Sequence, residues 1–164
     1  MTRPVPDFAS VVSAMIQPGQ PEELFAALDA AMGQAIGHKL FTILVIHPGA
    51  SESQRYYSNM PKEYPVGGRK PINPTPWFAK VLNEGVPYIG YTYADITDVF
   101  YDHELIRSLG CESVLNVPVR WDGRTIATIN LLHEAGWYNE GDIATAQQFA
   151  ALAVPGVLKV ISEA

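Results

Sequence analysis

The sequence predicts a single α+β domain in which helices at the two ends of the chain pack against a sheet built from its middle. Three observations carry this reading. Apolar residues recur at helical spacing over 21–36 and again from 139 to 161. A β-branched run, Leu40 to His47, is cut off by Pro48-Gly49. Asp122-Gly123 falls between two β-rich segments, 113–120 and 125–133, a strong hairpin mark.

The elements follow in order. Asp7 can cap a short helix that runs to Ile16 and is broken by Gln17-Pro18-Gly19-Gln20. Pro21 suits the first position of a second helix and Glu22-Glu23 its positive end, while Leu24, Phe25, Leu28, Ala31, Met32 and Ile36 form its apolar stripe up to Gly37. The strand 40–47 then pairs as a hairpin with 54–59. Residues 60–76, with Pro61, Pro65, Pro71, Pro74, Pro76 and the Gly67-Gly68 pair, predict a long irregular crossing whose backbone cannot pair fully in a sheet. Thr75-Pro76 opens a short helix, Trp77 to Glu84, stopped by Gly85, and Tyr88 to Tyr91 is a short strand. A helix over 102–110 leads into the 113–133 hairpin. The last helix starts near Asn139, where Asn139 or Asp142 can accept from a free first-turn N–H, and Pro155-Gly156 should kink or split it. Pro118 inside a strand predicts a sheet edge or a bulge.

Composition limits the function. At 164 residues, 48% hydrophobic and 17% charged, the chain can bury a core without metal or disulfide staples. A net charge of -6, with its Lys and Arg scattered, argues against nucleic acid as partner. Cys111 is the only cysteine, which rules out an internal disulfide and a Cys-rich zinc site and makes the cytoplasm the expected compartment. Met1-Thr2-Arg3-Pro4 lacks the apolar core of a signal peptide, and no run reads as the ~18–20 apolar residues of a membrane span. His38, His47, His103 and His133 lack metal-binding spacing, so no metal site is expected. Gly67-Gly68-Arg69-Lys70 lacks P-loop spacing and reads as a flap, from which Arg69 or Lys70 can reach an anionic ligand.

The stretch Leu109-Gly110-Cys111-Glu112-Ser113-Val114-Leu115-Asn116-Val117-Pro118-Val119, the Asp122-Gly123 turn, Ile126 to His133 and Trp137-Tyr138-Asn139-Glu140-Gly141-Asp142 resemble the C-terminal half of a GAF domain. The resemblance spans about 20–160 within one domain covering 1–164. It implies a GAF-like, PAS-related six-stranded antiparallel sheet with terminal helices on one face and a ligand pocket on the other. It also implies a small-molecule sensor in signal transduction. With no kinase, cyclase or DNA-binding domain following the last helix in this sequence, the expectation is a standalone module whose output passes to a separate effector protein or is absent. The long last helix motivates a homodimer through the terminal helices.

A more distant resemblance is to free methionine-R-sulfoxide reductase, whose chemistry needs two thiols, one to attack the sulfoxide and one to resolve the sulfenic acid. Aligned on Val117-Pro118, Arg107 stands where that family carries a catalytic cysteine. Val114, Asn130 and Leu132 stand where it carries substrate-binding acids. That reaction is therefore not expected here. The alternative enzymatic reading is a small cytoplasmic enzyme using Asp95, His103 or Cys111 as proton carrier or nucleophile.

Candidate ligand contacts are an aromatic wall of Tyr57, Trp77, Phe78, Tyr91, Phe100 and Tyr101, with Asp95, His103, Cys111, Ser113, Asn116 and Asn130 as polar groups. Neither ligand nor cofactor is named by the sequence. Asn116 and Asn130 sit inside apolar strands, and an unpaired buried amide costs about 1–3 kcal/mol, so each needs a partner or a ligand. A plain two-residue Asp122-Gly123 loop would set residue 115 opposite 130 and turn the two asparagines to opposite faces; a three-residue loop with a bulge would unite them.

Overall fold

The computed structural model describes residues 2–49 and 51–164. Met1, at the head of the N-terminal segment considered above, and Ala50 lie outside the described residues.

The helices α1 (Phe8–Met15) and α2 (Glu22–Ala35) precede strands β1 (Leu40–His47), β2 (Glu52–Ser58) and β3 (Lys70–Pro71). A helical segment follows, α3 (Pro76–Phe78) continuing as a π-helical turn over Ala79–Asn83, then β4 (Tyr88–Gly90), α4 (Tyr93–Val99) and α5 (His103–Ser108). The hairpin β5 (Ser113–Trp121) and β6 (Arg124–His133) leads to α6 (Gly141–Ser162). All six strands form one antiparallel sheet in the order β3-β2-β1-β6-β5-β4.

Period-two alternation divides the strand residues between two faces. Phe41, Ile43 and Val45 of β1, Leu115, Val117 and Val119 of β5, and Ile129 and Leu131 of β6 meet α2 and α6 in one core. Leu24, Phe25, Leu28 and Met32 of α2 and Phe149, Ala153 and Val157 of α6 supply its other side, and each of these apart from Ala153 contributes roughly 1.5–3 kcal/mol through burial. The alternate residues, among them Leu40, Ile46, Val114 and Leu132, meet α4, α5 and the π-helical turn on the opposite face.

Most local signals hold. Asp7 accepts from the Ser10 N–H at 3.0 Å, Thr75 caps α3, and Gly37 ends the α2 segment at φ +104° with the Trp137 ring against it. Pro21 is the N-cap residue of α2 rather than its first helical residue. Pro118 lies beyond β4, which ends opposite Asn116, so β5 has a neighbour on one side only where the proline N lacks its hydrogen.

Four expectations are corrected. The proline-rich crossing does contribute a strand, since Lys70 and Pro71 pair with Ser53 and Glu52 at the sheet edge, where a proline is tolerated. Helix α4 goes unpredicted because only Ile96 of it is buried, so it shows no stripe; a capping box of Thr92 and Asp95 fixes its start. Helix α6 is not split at Pro155 but continues through it, the proline and Ala151, whose carbonyl loses its donor, both facing water. That helix is also long and apolar enough to cross a membrane, with mean hydropathy 1.3 over 18 residues, although 44% of that window is buried within the fold against the sheet and α2.

The hairpin combines the two registers considered above. Its loop is the two-residue Asp122-Gly123, both at positive φ (52° and 79°), closed by the Trp121–Arg124 pair. Between Val119/Ala127 and Arg120/Thr125 the register shifts, leaving Ile126 as an extra residue in β6. Beyond that bulge Asn116 stands directly opposite Asn130.

Candidate functional site

Thr42, Asn130 and Asn116 are paired rung to rung across β1, β6 and β5, on the face away from α2 and α6. The Trp77 indole donates to Asn116 Oδ1 at 3.0 Å, Asn116 Nδ2 to Asn130 Oδ1 at 2.7 Å, and Asn130 Nδ2 to Thr42 Oγ1 at 3.1 Å. An indole N–H can only donate, so Asn116 must present its oxygen to Trp77 and its amide hydrogens to Asn130, and the polarity is passed along to Thr42. The Thr42 hydroxyl therefore keeps its own hydrogen to give. Asn116 is almost wholly buried and Asn130 half-buried, and both amides are satisfied by this relay.

Above the relay lies a cavity of about 410 Å³, within the ~300–1,000 Å³ usual for small-molecule sites. The sheet face gives its floor, the 64–73 flap one wall, α3 another, and the 99–102 connection with Ile106 the remainder. Trp77 and Phe100 meet edge to face there, centroids 6.0 Å apart. The lining carries three charged groups, Arg55, Lys70 and Asp102. The Arg55 guanidinium lies over the Tyr64 ring at 3.8 Å and donates from Nη1 to the Pro65 carbonyl at 2.8 Å. Tyr64 donates its hydroxyl to Asp102 at 2.6 Å. Burial, and then the Asp102 carboxylate, push the Tyr64 phenol up, so it stays a neutral donor.

Five of the predicted contacts, Trp77, Phe100, Tyr101, Asn116 and Asn130, line this cavity together, as does Phe78; Tyr101, 88% exposed, stands at its mouth. The other six stand elsewhere. Tyr57 faces the helical layer, because a bulge at Tyr56 sets it opposite Ile43; it packs on Phe25 and Phe41 and donates to Asp29 at 2.7 Å. Asp95 accepts from the Tyr91 and Thr92 N–H groups as the capping carboxylate of α4, and exposed Tyr91 is held by that contact. His103 Nδ1 shares a 2.8 Å hydrogen bond with the Tyr93 hydroxyl. Ser113 donates to the Glu134 carbonyl at 2.7 Å. Cys111 is fully buried beside Leu40 and Ile106, and burial pushes its thiol up to about 11, away from the thiolate a nucleophile needs.

Residues the sequence reading passed over include Thr42, Arg55, Tyr64 and Asp102. Lys70 joins the lining as the flap reading allowed, whereas Arg69 pairs with Glu52 at 3.1 Å. Of the positions aligned with the reductase, Val114, Asn130 and Leu132 do line the cavity with neutral side chains, while Arg107 is exposed over Tyr93. Among the described residues no group of three or more His, Cys, Asp or Glu side chains could hold a metal ion.

The α1, α2 and α6 helices cover one face of the six-stranded antiparallel sheet and the cavity lies on the other, the arrangement of a GAF-like α+β domain. The GAF domain family model matches residues 21–155, and the chain belongs to that family. No curated protein gives a significant match to the sequence. Among solved structures, the GAF domain of a phosphoenolpyruvate-protein phosphotransferase from Coxiella burnetii superposes with TM-score 0.72 at 10% identity, covering 95% of this chain and 92% of that one. The GAF domain of a two-component sensor histidine kinase from Bacillus halodurans gives 0.68 at 12% identity, with 85% and 95% covered. Free methionine-R-sulfoxide reductase from Neisseria meningitidis, in complex with its substrate, gives 0.65 at 15% identity, with 99% and 97% covered. At such identities the likeness is one of fold.

Proposed function

We propose that this GAF domain is a cytoplasmic small-molecule sensor that binds its ligand in the cavity above the Thr42–Asn130–Asn116 rung and signals as a homodimer to an effector protein. The observation that carries the reading is the relay itself. Three polar side chains from three adjacent strands, with one indole, converge under a 410 Å³ space that is otherwise mainly apolar. Polar groups so placed give direction to a ligand whose body is held by burial. Trp77, Phe100, Tyr101, Asn116 and Asn130 are its contacts among the candidates from sequence. The sensor kinase whose GAF domain shares this fold supports the signalling role.

Binding rather than catalysis is favoured because Asp95, His103 and Cys111 are spent on a cap, a tyrosine and the core, away from the cavity. The dimer reading draws support from Val12 of α1 and Ile16 just past its end, exposed at 48% and 80%, and from the exposed small residues Ala144 and Ala151 of α6.

A thermal-shift screen against a broad metabolite library tests the reading. A ligand at 100 times its Kd adds about 2.7 kcal/mol, or roughly 5–10 °C for a chain of this size. Absence of any hit across all charge classes would reject it. Light scattering coupled to size exclusion should give twice the monomer mass, and a strict monomer across concentrations would reject the dimer.

A further inference from the structure

We propose that the cavity takes a monocarboxylate with an aromatic or branched apolar body, anchored by Arg55; this rests on the ligand-binding reading above and narrows it to one chemical class. The anchor comes first. Arg55 stands opposite Leu44 in the β1–β2 pairing, on the face that also carries Thr42. Among the described residues its partners are the Tyr64 ring and one backbone carbonyl; none of those residues gives it a carboxylate counter-ion within 4 Å or an acceptor for its Nε and Nη2 hydrogens. A guanidinium held over an aromatic ring and tied to a backbone carbonyl is already ordered, and its unpaired N–H groups are the donors a carboxylate takes.

Charge gives the valence. Arg55 and Lys70 against Asp102 leave the lining at 2 - 1 = +1, inside a chain whose net charge is -6. The one acid is already engaged by the Tyr64 hydroxyl. A monoanion neutralises this lining, while a dianion such as a phosphate monoester would leave it negative.

The relay points the same way by a separate route. Because it starts at a donor-only indole, it ends at a hydroxyl whose free hydrogen is a donor. Ammonium and guanidinium add only further donors. The cavity therefore suits a ligand whose polar end accepts, and its remaining wall of Leu44, Ile72, Phe78, Phe100 and Val114 suits an apolar body.

The experiment is calorimetric titration of phenylacetate, indole-3-acetate and 4-methylpentanoate, each beside its primary amide and with phenethylamine as the cationic control. The expected result is at least one carboxylate that binds about 10- to 100-fold more tightly than its amide, the loss expected for a charge-assisted pair. Arg55→Gln should remove that preference, and Arg55→Lys should restore part of it. Should Arg55→Gln fail to fold, the carboxylate-to-amide ratio of the unaltered chain decides the matter. Amides or the amine binding as tightly as the carboxylates, or an unchanged ratio in folded Arg55→Gln, overturns the proposal. If only neutral or cationic library compounds bind and Leu44→Trp blocks them, the carboxylate assignment falls and the cavity reading stands. Binding by nothing in any charge class overturns both.

Discussion

Asn116 is held at the centre of the relay, between the Trp77 indole and the Asn130 amide. Replacing it by Leu leaves the Trp77 N–H and Asn130 Oδ1 without partners inside the protein and should cost about 1–3 kcal/mol in urea unfolding. Asn116→Leu combined with Asn130→Leu should cost less than the sum of the two, since the amides satisfy each other. Cys111 gives the pH dependence. Its thiol is raised to about 11 in the fold from an ordinary 9.0, so well below pH 9 both states are protonated and this group contributes no pH dependence. As pH rises from 9 to 11 the unfolded chain ionises first and gains stability relative to the fold, by roughly 2–3 kcal/mol at pH 11. Cys111→Ala should flatten that share of the alkaline loss in melting experiments. The identity of these residues was legible in the sequence, the relay only as an unmet demand: two amides in apolar strands require partners, and the text of the chain does not say which.

Among the elements, the β6 bulge at Ile126 has the largest consequence, because it turns Asn130 toward Asn116 and so creates the site. The Asp122-Gly123 turn could be read directly, as it needs positive φ at both residues, whereas the bulge answers to the packing of Ile126 and Ala127 together into the helix-side core. The packing of α6 on α2 is set by Gly156, where a Cβ would stand 2.9 Å from Phe25 Cε1 and 3.0 Å from Leu24 Cδ2. Gly156→Ala should lower stability by about 1–3 kcal/mol despite the better helix propensity of alanine, as read from the denaturation midpoint. Helix α4 escaped the sequence because a single buried residue makes no periodic signal, and Tyr57 was assigned to the wrong face because the bulge at Tyr56 reverses the alternation beyond it.

At the scale of the molecule, the N-terminal segment is tied to the last helix. Arg3 donates from Nε to Asp142 Oδ1 at 2.9 Å and from Nη2 to Oδ2 at 3.1 Å, and its Nη2 also reaches the Trp137 carbonyl. Asp142 is 2% exposed, so Arg3→Ala leaves a buried carboxylate with only the Asn139 N–H. The expected loss is about 1–3 kcal/mol, visible as a melting temperature lower by roughly 2–12 °C. The same tie fixes the start of α6, one of the two helices through which the homodimer is proposed to form, so Arg3→Ala should also weaken association in light scattering. A ligand bound in the cavity would act in the opposite sense, adding RT ln(1 + [L]/Kd) of stability.

The sequence by itself determined the α+β class, the caps at Asp7 and Thr75, the hairpin turn and the division of apolar residues into periods of two and 3.6, because these follow from local backbone sterics and from which side chains avoid water. Only the tertiary structure decided what faces the cavity. A bulge of one residue turns every residue beyond it to the other face, and a lone arginine in a strand has no meaning until the sheet sets it over the Tyr64 ring, outside ion-pair contact with any carboxylate among the described residues and at the edge of an apolar space.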